Sequence, residues 1–157
     1  MYDTTILVIG IGNAYRNDDA VGLVVVRLLK ENKLSCTKII ETSADSFDLI
    51  DIWKDHRDVI LVDAVTSGSK PGTIYRYSAL TEPIPTFKSF HSTHIFSIAE
   101  AIEVGRTLHQ LPPNLLLFGI EGKNFASGTS ISPEVENSMP KVVEEIILVI
   151  QDFLRNN

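Results

Sequence analysis

Three side chains in this sequence have the types and positions of metal ligands or acid–base groups, namely Asp19, Asp63 and His94. Asp63 follows the apolar run at residues 59–62, which is typical of a buried strand. An ionised acid is costly there unless it is paired or binds a cation. The alternative interpretation is that Asp63 only caps a turn. Two carboxylates and one imidazole suit a borderline divalent ion such as nickel or zinc, and leave positions open for substrate or water.

Asp19 belongs to the segment GIGNAYRNDDAVG at residues 10–22. A dinucleotide-binding turn would need glycine at Tyr15, and two adjacent acids stand where a pyrophosphate would lie. We therefore expect Asp18 to cap the following helix and Asp19 to point into a crevice. The alternative, in which the acids only cap the helix, applies more readily to Asp18 than to Asp19.

His94 lies at the start of a predicted helix, where the positive end of the helix dipole lowers a histidine pKa and keeps the imidazole able to bind metal. His91 is a rival ligand three residues earlier. A single histidine at a helix start is often only a surface residue, so the assignment of His94 depends on the two carboxylates. An alternative without metal is a carboxylate pair of the aspartic-protease kind, which would share a proton; we rank it below the metal site.

Nucleophilic catalysis has little support in the sequence. No serine lies in a GxSxG elbow. The one cysteine, Cys36, is at a predicted strand start and is expected to be a small core residue. His56 lies in the polar stretch KDHRD and is expected to be exposed.

The elements that must position these residues alternate along the chain. Apolar runs predict strands at residues 5–11, 37–41, 58–65, 73–77 and 115–120. Helical spacing predicts helices at residues 19–31, 46–53 and 93–104, and a last helix opened by Ser132-Pro133-Glu134, in which Pro140 either causes a kink or marks the true start.

This order of elements predicts an α/β fold, a three-layer αβα sandwich around a mostly parallel five-stranded sheet with one antiparallel strand. Ligands of such sheets bind beyond the carboxyl ends of the strands, near the switch point. If the strand order begins 2-1-3, the first and third strands are neighbours, and Asp19 and Asp63 lie side by side. The loops at residues 81–89 and 122–131 are candidate substrate contacts.

The length and composition of the chain indicate its domain organisation and its class of protein. Its 157 residues predict a single domain over residues 1–157, and 44% apolar with 22% charged residues is typical of a soluble globular protein. The net charge of −6 argues against nucleic acid as a partner. One cysteine permits no disulfide framework, and the apolar stretch ILVIG is too short for a signal peptide or a membrane span. We therefore expect a cytoplasmic protein that does not bind a membrane.

Four blocks of this sequence resemble, in order, the hydrogenase maturation endopeptidases. They are GIGNAYRNDDAVG, DVILVDAV with the following KPGTIYRY, HSTHIFSIAEAI, and LLLFGIEGKNFASGTSISPEV. Each block alone is weak, but four in the family's order are fairly specific, and the resemblance covers nearly the whole chain. The opening acid of the family is often Glu, whereas Asp19 is shorter by one methylene.

This resemblance implies a peptidase that removes the C-terminal extension of a nickel-loaded hydrogenase large-subunit precursor. Nickel would arrive inside that precursor, which is the implied partner, and Asp19, Asp63 and His94 would contact it and serve catalysis. We expect the protein to act as a monomer. The alternatives are a metal-independent carboxylate peptidase, a module that binds a small ligand such as a nucleotide, and a maturation chaperone that binds the large subunit without cutting it.

Overall fold

The computed structural model describes residues 1–43, 46–82 and 98–156, in which strands and helices alternate. The strands are β1 (Ile6–Ile11), β2 (Thr37–Thr42), β3 (Asp58–Val65), β4 (Ile74–Ser78) and β5 (Asn114–Glu121). The helices are α1 (Val21–Glu31), α2 (Ser46–Trp53), α3 (Ile98–Thr107), α4 (Pro133–Glu136) and α5 (Met139–Asn156). A short 3-10 turn, Asn17–Ala20, precedes α1.

The five strands form one sheet in the order β2-β1-β3-β5-β4. The first four run parallel, and β4 pairs antiparallel with β5 at the edge. Helices α1 and α5 pack on one face of the sheet, and α2 and α3 pack on the other. The predicted three-layer αβα sandwich with one antiparallel strand is therefore confirmed, as is the predicted adjacency of the first and third strands.

Each face of the sheet buries its own apolar cluster because alternate residues of a strand point to opposite sides. In β3, Ile60 and Val62 pack against α1 and α5, whereas Val59 and Leu61 pack against α2 and α3. Such strands are buried on both faces, which explains their continuous apolar runs. None of the helices in the described part of the chain is long and apolar enough to cross a membrane.

The last helical region begins as predicted with Ser132 and Pro133, but it is divided. Pro133–Glu136 forms the single turn α4, and α5 begins at Met139. Pro140 therefore marks the true start of the long helix, where its missing N–H costs no helical hydrogen bond. The predicted helix at 93–104 is described only from Ile98 onward, and most of the predicted loop at 81–89 also lies outside the described residues.

Two predictions about side chains outside the candidate site were wrong. His56 is buried, because the loop before β3 pairs with the N-terminal segment through a bridge between Asp3 and His56. Cys36 is exposed rather than a core residue. It precedes β2 with a positive φ of 53°, so its side chain does not join the pleated surface of the sheet.

Helix α1 lies directly on the ends of β1 and β3. A Cβ atom on Gly22 would lie 2.3 Å from the carbonyl oxygen of Val62 and 2.4 Å from that of Ile11. Only a residue without a side chain permits this approach of backbone to backbone. The approach holds the start of α1, and the turn before it, over the carboxyl ends of two neighbouring strands.

We expect Gly22→Ala to lower the free energy of unfolding by about 3 kcal/mol, because the new methyl group would meet rigid backbone. Urea unfolding measures the change. Gly105→Ala in α3 is the matched control, since the nearest atom there is the end of the Leu111 side chain at 3.0 Å. That control should change stability by less than about 1 kcal/mol because alanine favours the helix. Equal losses in the two variants would contradict the proposed role of Gly22.

Candidate active site

Asp18 anchors the loop between β5 and α4 rather than capping α1. Its carboxylate accepts hydrogen bonds from the backbone N–H groups of Lys123 and Asn124, both at 2.8 Å. It also accepts from the N–H of Ser132 at 2.6 Å and from the Ser132 hydroxyl at 2.8 Å. The N-cap position of α1 is Ala20, which has no polar side chain. The prediction that Asp18 caps the helix was therefore wrong, because the loop offers this carboxylate more donors than the helix end does.

The hydrogen bonds of Asp18 determine its protonation. Burial raises the pKa of this carboxyl group, but the N–H groups of Ser132, Asn124 and Lys123 outweigh burial and bring the pKa below its usual value. Asp18 is therefore held as a carboxylate inside the protein. A charge with this many donors is satisfied, and its role is to hold the turn and the loop together.

Asn17 joins the same turn to the same loop. It has a positive φ of 46°, its side-chain amide donates to the carbonyl of Ala126, and its side-chain oxygen accepts from the N–H of Ser130. Its backbone N–H donates to the carbonyl of Gly128. Asparagine tolerates this left-handed conformation better than most residues do. The turn and residues 122–132 thus form one hydrogen-bonded unit beside the strand ends.

Asp19 directly follows Asp18 in the chain, and the end of β1 fixes its backbone. A Cβ atom on Gly12 would lie only 2.0 Å from the carbonyl oxygen of Asp19. The chain beyond β1 therefore passes directly against the turn. The Asp19 residue is half-buried. Its neighbour Asp18 points into the loop, and Asp19 contributes its negative charge on the side of β3.

Asp63 lies near the end of β3, on the sheet face that α2 and α3 cover. It is paired in register with Gly119 of β5, and the N–H of Ala64 donates to its side chain at 2.8 Å. Burial raises the pKa of Asp63 well above its usual value, and the negative charge of Asp19 raises it further. The structure thus brings together the two carboxylates that the sequence assigned to one site.

The third predicted member of the site, His94, lies outside the described residues, as does its rival His91. Within the described ranges, no three His, Cys, Asp or Glu side chains are grouped as a metal site would require. Two neighbouring carboxylates, one with a raised pKa, have two chemical uses. They can hold a divalent cation between them, or they can share a proton and exchange it with water.

Glu121 is a buried carboxylate at the end of a strand that the sequence analysis missed. It ends β5 and is buried, and its carboxylate accepts from the N–H groups of Ser67 and Gly68 at 2.9 and 3.0 Å. The Ser67 hydroxyl adds a hydrogen bond of 2.7 Å. The signal was present in the sequence, since Glu121 follows the apolar run LLLFGI just as Asp63 follows VILV. The predicted strand ended one residue too early and left Glu121 in the loop.

A groove between β4 and the last two helices lies apart from the carboxylate pair. Its lining includes Lys70, Arg76 and Lys141 together with Glu134 and Glu145. Arg76 and Ile74 belong to the sheet face that packs on α5, whereas Asp63 belongs to the opposite face. The groove is therefore distinct from the candidate active site, and its mixed charges select no single kind of ligand.

The chain is similar to known hydrogenase maturation proteases. The sequence profile of the family described as hydrogenase maturation protease matches residues 23–149. The hydrogenase 2 maturation protease of Escherichia coli is 23% identical, over 94% of this chain and 91% of that protein. The chain belongs to the hydrogenase maturation protease family. It is therefore a peptidase, as the sequence blocks predicted.

Solved structures share its fold. The hydrogenase maturating endopeptidase HybD from E. coli superposes with a TM-score of 0.74 at 21% identity, over 97% of this chain and 93% of that one. The solution structure of an endopeptidase from E. coli gives a TM-score of 0.80 at 22% identity, with the same coverage. The αβα sandwich is thus the fold of known endopeptidases.

We expect Asp18→Asn to lower the free energy of unfolding at pH 7 by about 3 kcal/mol. An amide accepts fewer hydrogen bonds than a carboxylate, and its NH₂ group would face the N–H donors of the loop. The folded-state pKa of Asp18 is lowered, so its contribution is present above the unfolded-state pKa near 4 and is lost as the pH falls through the folded-state pKa. Urea unfolding should therefore show a gap that narrows in acid. Asp55→Asn, at an exposed site, is the control, and an equal loss there would contradict the anchoring role.

Asp63→Asn should have the opposite effect and stabilise the protein at pH 8. The folded state favours the protonated Asp63 carboxyl, so stability falls as the pH rises from the unfolded-state pKa near 4 through the raised folded-state pKa. Each unit of that rise corresponds to about 1.4 kcal/mol. The gain of the variant, measured by urea unfolding, should be absent below about pH 4 and should grow as the pH rises toward the folded-state pKa. A variant less stable than the parent at pH 8 would show that Asp63 is already neutralised by a neighbour.

Proposed function

We propose that this peptidase removes the C-terminal extension of a hydrogenase large-subunit precursor only after nickel has been inserted. Asp19, Asp63 and His94 contact the precursor's nickel and serve the hydrolysis. Nickel is part of the substrate in this proposal. The single observation that carries it is the half-buried carboxyl of Asp63, whose pKa is raised by desolvation and by the charge of Asp19.

A divalent cation relieves the electrostatic conflict between these two residues. In the free protein, burial and the charge of Asp19 favour the protonated form of Asp63. A cation delivered by the substrate favours the carboxylate instead and binds more tightly where two acids converge. The site thus has a physical reason to prefer a metal-bearing precursor over an empty one.

His94 supplies the nitrogen ligand of the proposed set. It precedes Ile98, the first described residue of α3, by four positions. Helix α3 packs on the same sheet face to which the side chain of Asp63 belongs, as the clustering of Leu61 with Ile102 shows. This common face supports the choice of His94.

Hydrolysis of a peptide bond needs attack by water on the carbonyl carbon and a proton for the leaving amine. The Asp63 carboxyl, whose pKa is raised, is suited to exchange a proton with that water or with the amine. The metal of the precursor would hold the scissile segment beside this carboxyl. We place this reaction in the cytoplasm, in a monomer with a single domain over residues 1–157.

A second candidate is peptide hydrolysis by the carboxylate pair without metal. The raised pKa of Asp63 beside Asp19 favours it, since two close carboxyl groups can share a proton. The two candidates differ in one property. An enzyme that requires the metal for recognition cuts only the nickel-loaded precursor, whereas the carboxylate pair cuts the nickel-loaded and the nickel-free precursor.

The decisive experiment incubates the purified protein with nickel-loaded and nickel-free large-subunit precursors and measures the C-terminal mass. We expect only the loaded form to shorten. Asp19→Asn and Asp63→Asn should slow processing at least about 100-fold, in the range that acid–base groups supply. Glu31→Gln, at the opposite end of α1, is the matched control and should process normally. His94→Ala should be inactive, whereas His91→Ala should retain activity.

Each outcome has one reading. Shortening of both precursors would overturn the metal-reading proposal and support the carboxylate pair. Normal processing by the Asp19 and Asp63 variants would move the site elsewhere. Tight binding without shortening of any precursor would indicate a maturation chaperone.

A further inference from the structure

The outer edge of β4 presents backbone hydrogen-bonding groups away from the sheet. β4 is the edge strand and pairs antiparallel with β5. The N–H of Ala79 donates to the carbonyl of Leu115, and the carbonyl of Thr73 accepts from the N–H of Glu121. Alternate residues of an antiparallel strand direct both of their backbone groups at the neighbouring strand. The odd-numbered residues of β4 therefore bond to β5, and the even-numbered residues direct their N–H and C=O groups outward.

Ile74 and Arg76 form the open part of this edge. Ser78, which also faces outward, is occupied, because its carbonyl accepts from the N–H groups of Thr81 and Glu82. The N–H of Ser78 donates to the Glu82 carboxylate. Among the described residues, no hydrogen bond satisfies the outward N–H and C=O groups of Ile74 or Arg76. Arg76 is exposed and Ile74 is half-buried, so solvent reaches this part of the edge.

The groove between β4 and the last two helices adjoins this edge. Ile74 and Arg76 line it together with Lys141 and Glu145 of α5, and its volume is about 600 Å³. Alternate side chains of a strand paired with Ile74 and Arg76 would lie over this groove, because side chains in one row of a sheet share a face. The lining carries charges of both signs. The edge is therefore suited to select an extended backbone rather than one kind of side chain.

A second copy of this chain is a poor occupant of the edge. Arg76 is the middle residue of β4, and an antiparallel pair of two β4 edges centred there would place two Arg76 side chains opposite each other. Like charges directly opposite destabilise a pair of strands. Short edge strands that carry a charged residue are a common protection against such self-pairing. The edge therefore favours an extended segment of another protein.

The edge lies within reach of a peptide held at the candidate active site. Asp63 of β3 is in register with Gly119 of β5, and Gly119 is in register with Tyr75 of β4. A strand added outside β4 would lie three strand spacings from Asp63, each of about 4.8 Å. An extended chain covers that distance in about five residues. One continuous segment of a peptide substrate can therefore contact both the edge and Asp63.

We propose that the outer edge of β4 binds an extended segment of the hydrogenase precursor by strand addition, with the N–H and C=O groups of Ile74 and Arg76 as its hydrogen-bond partners. The inference rests on the proposed function, because this segment lies about five residues from the bond presented at Asp63. Strand addition is a recurrent way of binding peptides, since main-chain hydrogen bonds supply affinity whatever the side chains. The edge holds the substrate, and the carboxylate pair breaks the bond.

Arg76→Pro tests the backbone contact. It removes the outward N–H of residue 76 and no hydrogen bond to β5, and edge strands tolerate proline at such positions. Arg76→Ala is the matched reference, since it also removes the guanidinium from the ring of Phe118 but keeps the N–H. Relative to Arg76→Ala, we expect Arg76→Pro to raise the KM for nickel-loaded precursor about 10-fold, with kcat unchanged within about twofold. Equal KM values in the two variants would overturn strand addition.

Amide hydrogen exchange tests the same contact without a substitution in β4. The Asp63→Asn protein should cut slowly enough to keep loaded precursor intact while exchange is followed. We expect the N–H groups of Ile74 and Arg76 to exchange at least about 10-fold more slowly in the complex than in the free protein. The N–H of Tyr77 faces β5 and is the internal control, which should exchange slowly in both states.

Two exchange results would contradict the proposal. Unchanged exchange at Ile74 and Arg76 in the complex would overturn it, even if Arg76→Pro disturbed the strand. Exchange that slows in the free protein as its own concentration rises would identify a second copy as the occupant and would also overturn it.

Failure of this inference is distinguishable from failure of the proposed function. If the parental protein cuts loaded precursor while exchange at the edge is unchanged, the edge is no substrate contact and the function stands. If the parent binds precursor without cutting it, exchange at the edge still decides the inference. If Asp63→Asn cuts as fast as the parent, the KM values of the two Arg76 variants decide it. A parent that neither binds nor cuts any precursor overturns both proposals.

Discussion

The close contact of α1 with the sheet at Gly22 is the constraint on which the site depends. The carbonyl oxygens of Ile11 and Val62 lie where a side chain on Gly22 would have to be, so the helix rests on the ends of β1 and β3. The same approach forces the turn before the helix against the end of β1, where Gly12 leaves room for the backbone of Asp19. A crossover between parallel strands normally places a helix on the sheet. Here the absence of side chains at Gly12 and Gly22 also allows the helix and the turn before it to lie unusually close to the strand ends. The turn therefore brings Asp19 close enough to β3 for its charge to act on Asp63.

Asp18 and Asp19 are adjacent in the chain and have opposite electrostatic surroundings. Asp18 is surrounded by N–H donors from the loop, which lower its pKa and hold it as a carboxylate. Asp19 faces a second carboxyl, and its charge helps to raise the pKa of Asp63. Asp18 therefore stabilises the fold, whereas Asp19 destabilises the ionised form of Asp63. Active sites commonly retain such unfavourable charge pairs because the ligand or the reaction relieves them.

Sequence patterns were sufficient for the sheet and for part of the site. The apolar runs predicted the strands, and the switch-point rule placed Asp19 beside Asp63 because it concerns only where parallel strands end. The role of Asp18 was beyond such reasoning, since its partners Lys123 and Asn124 follow 105 and 106 residues later. His56 and Cys36 were misjudged for the same kind of reason. A β-bridge to the N-terminal segment buries His56, and a left-handed backbone conformation exposes Cys36. Neither feature changes the periodic pattern of apolar residues in the sequence.

Asp63 and Glu121 show why the position of an acid in the sheet does not by itself determine its chemistry. Both follow apolar runs, both lie near the carboxyl ends of neighbouring strands, and both belong to the face covered by α2 and α3. Glu121 meets the N–H groups of a tight turn, which satisfy its charge and make it a structural anchor. Asp63 accepts a hydrogen bond from the N–H of Ala64 and is repelled by the like negative charge of Asp19. The difference between the two acids therefore lies in the loop or turn beside each of them, which follows a neighbouring strand. A turn with free donors produces a fixed carboxylate, whereas a second acid produces a carboxyl group ready to accept a cation or release a proton.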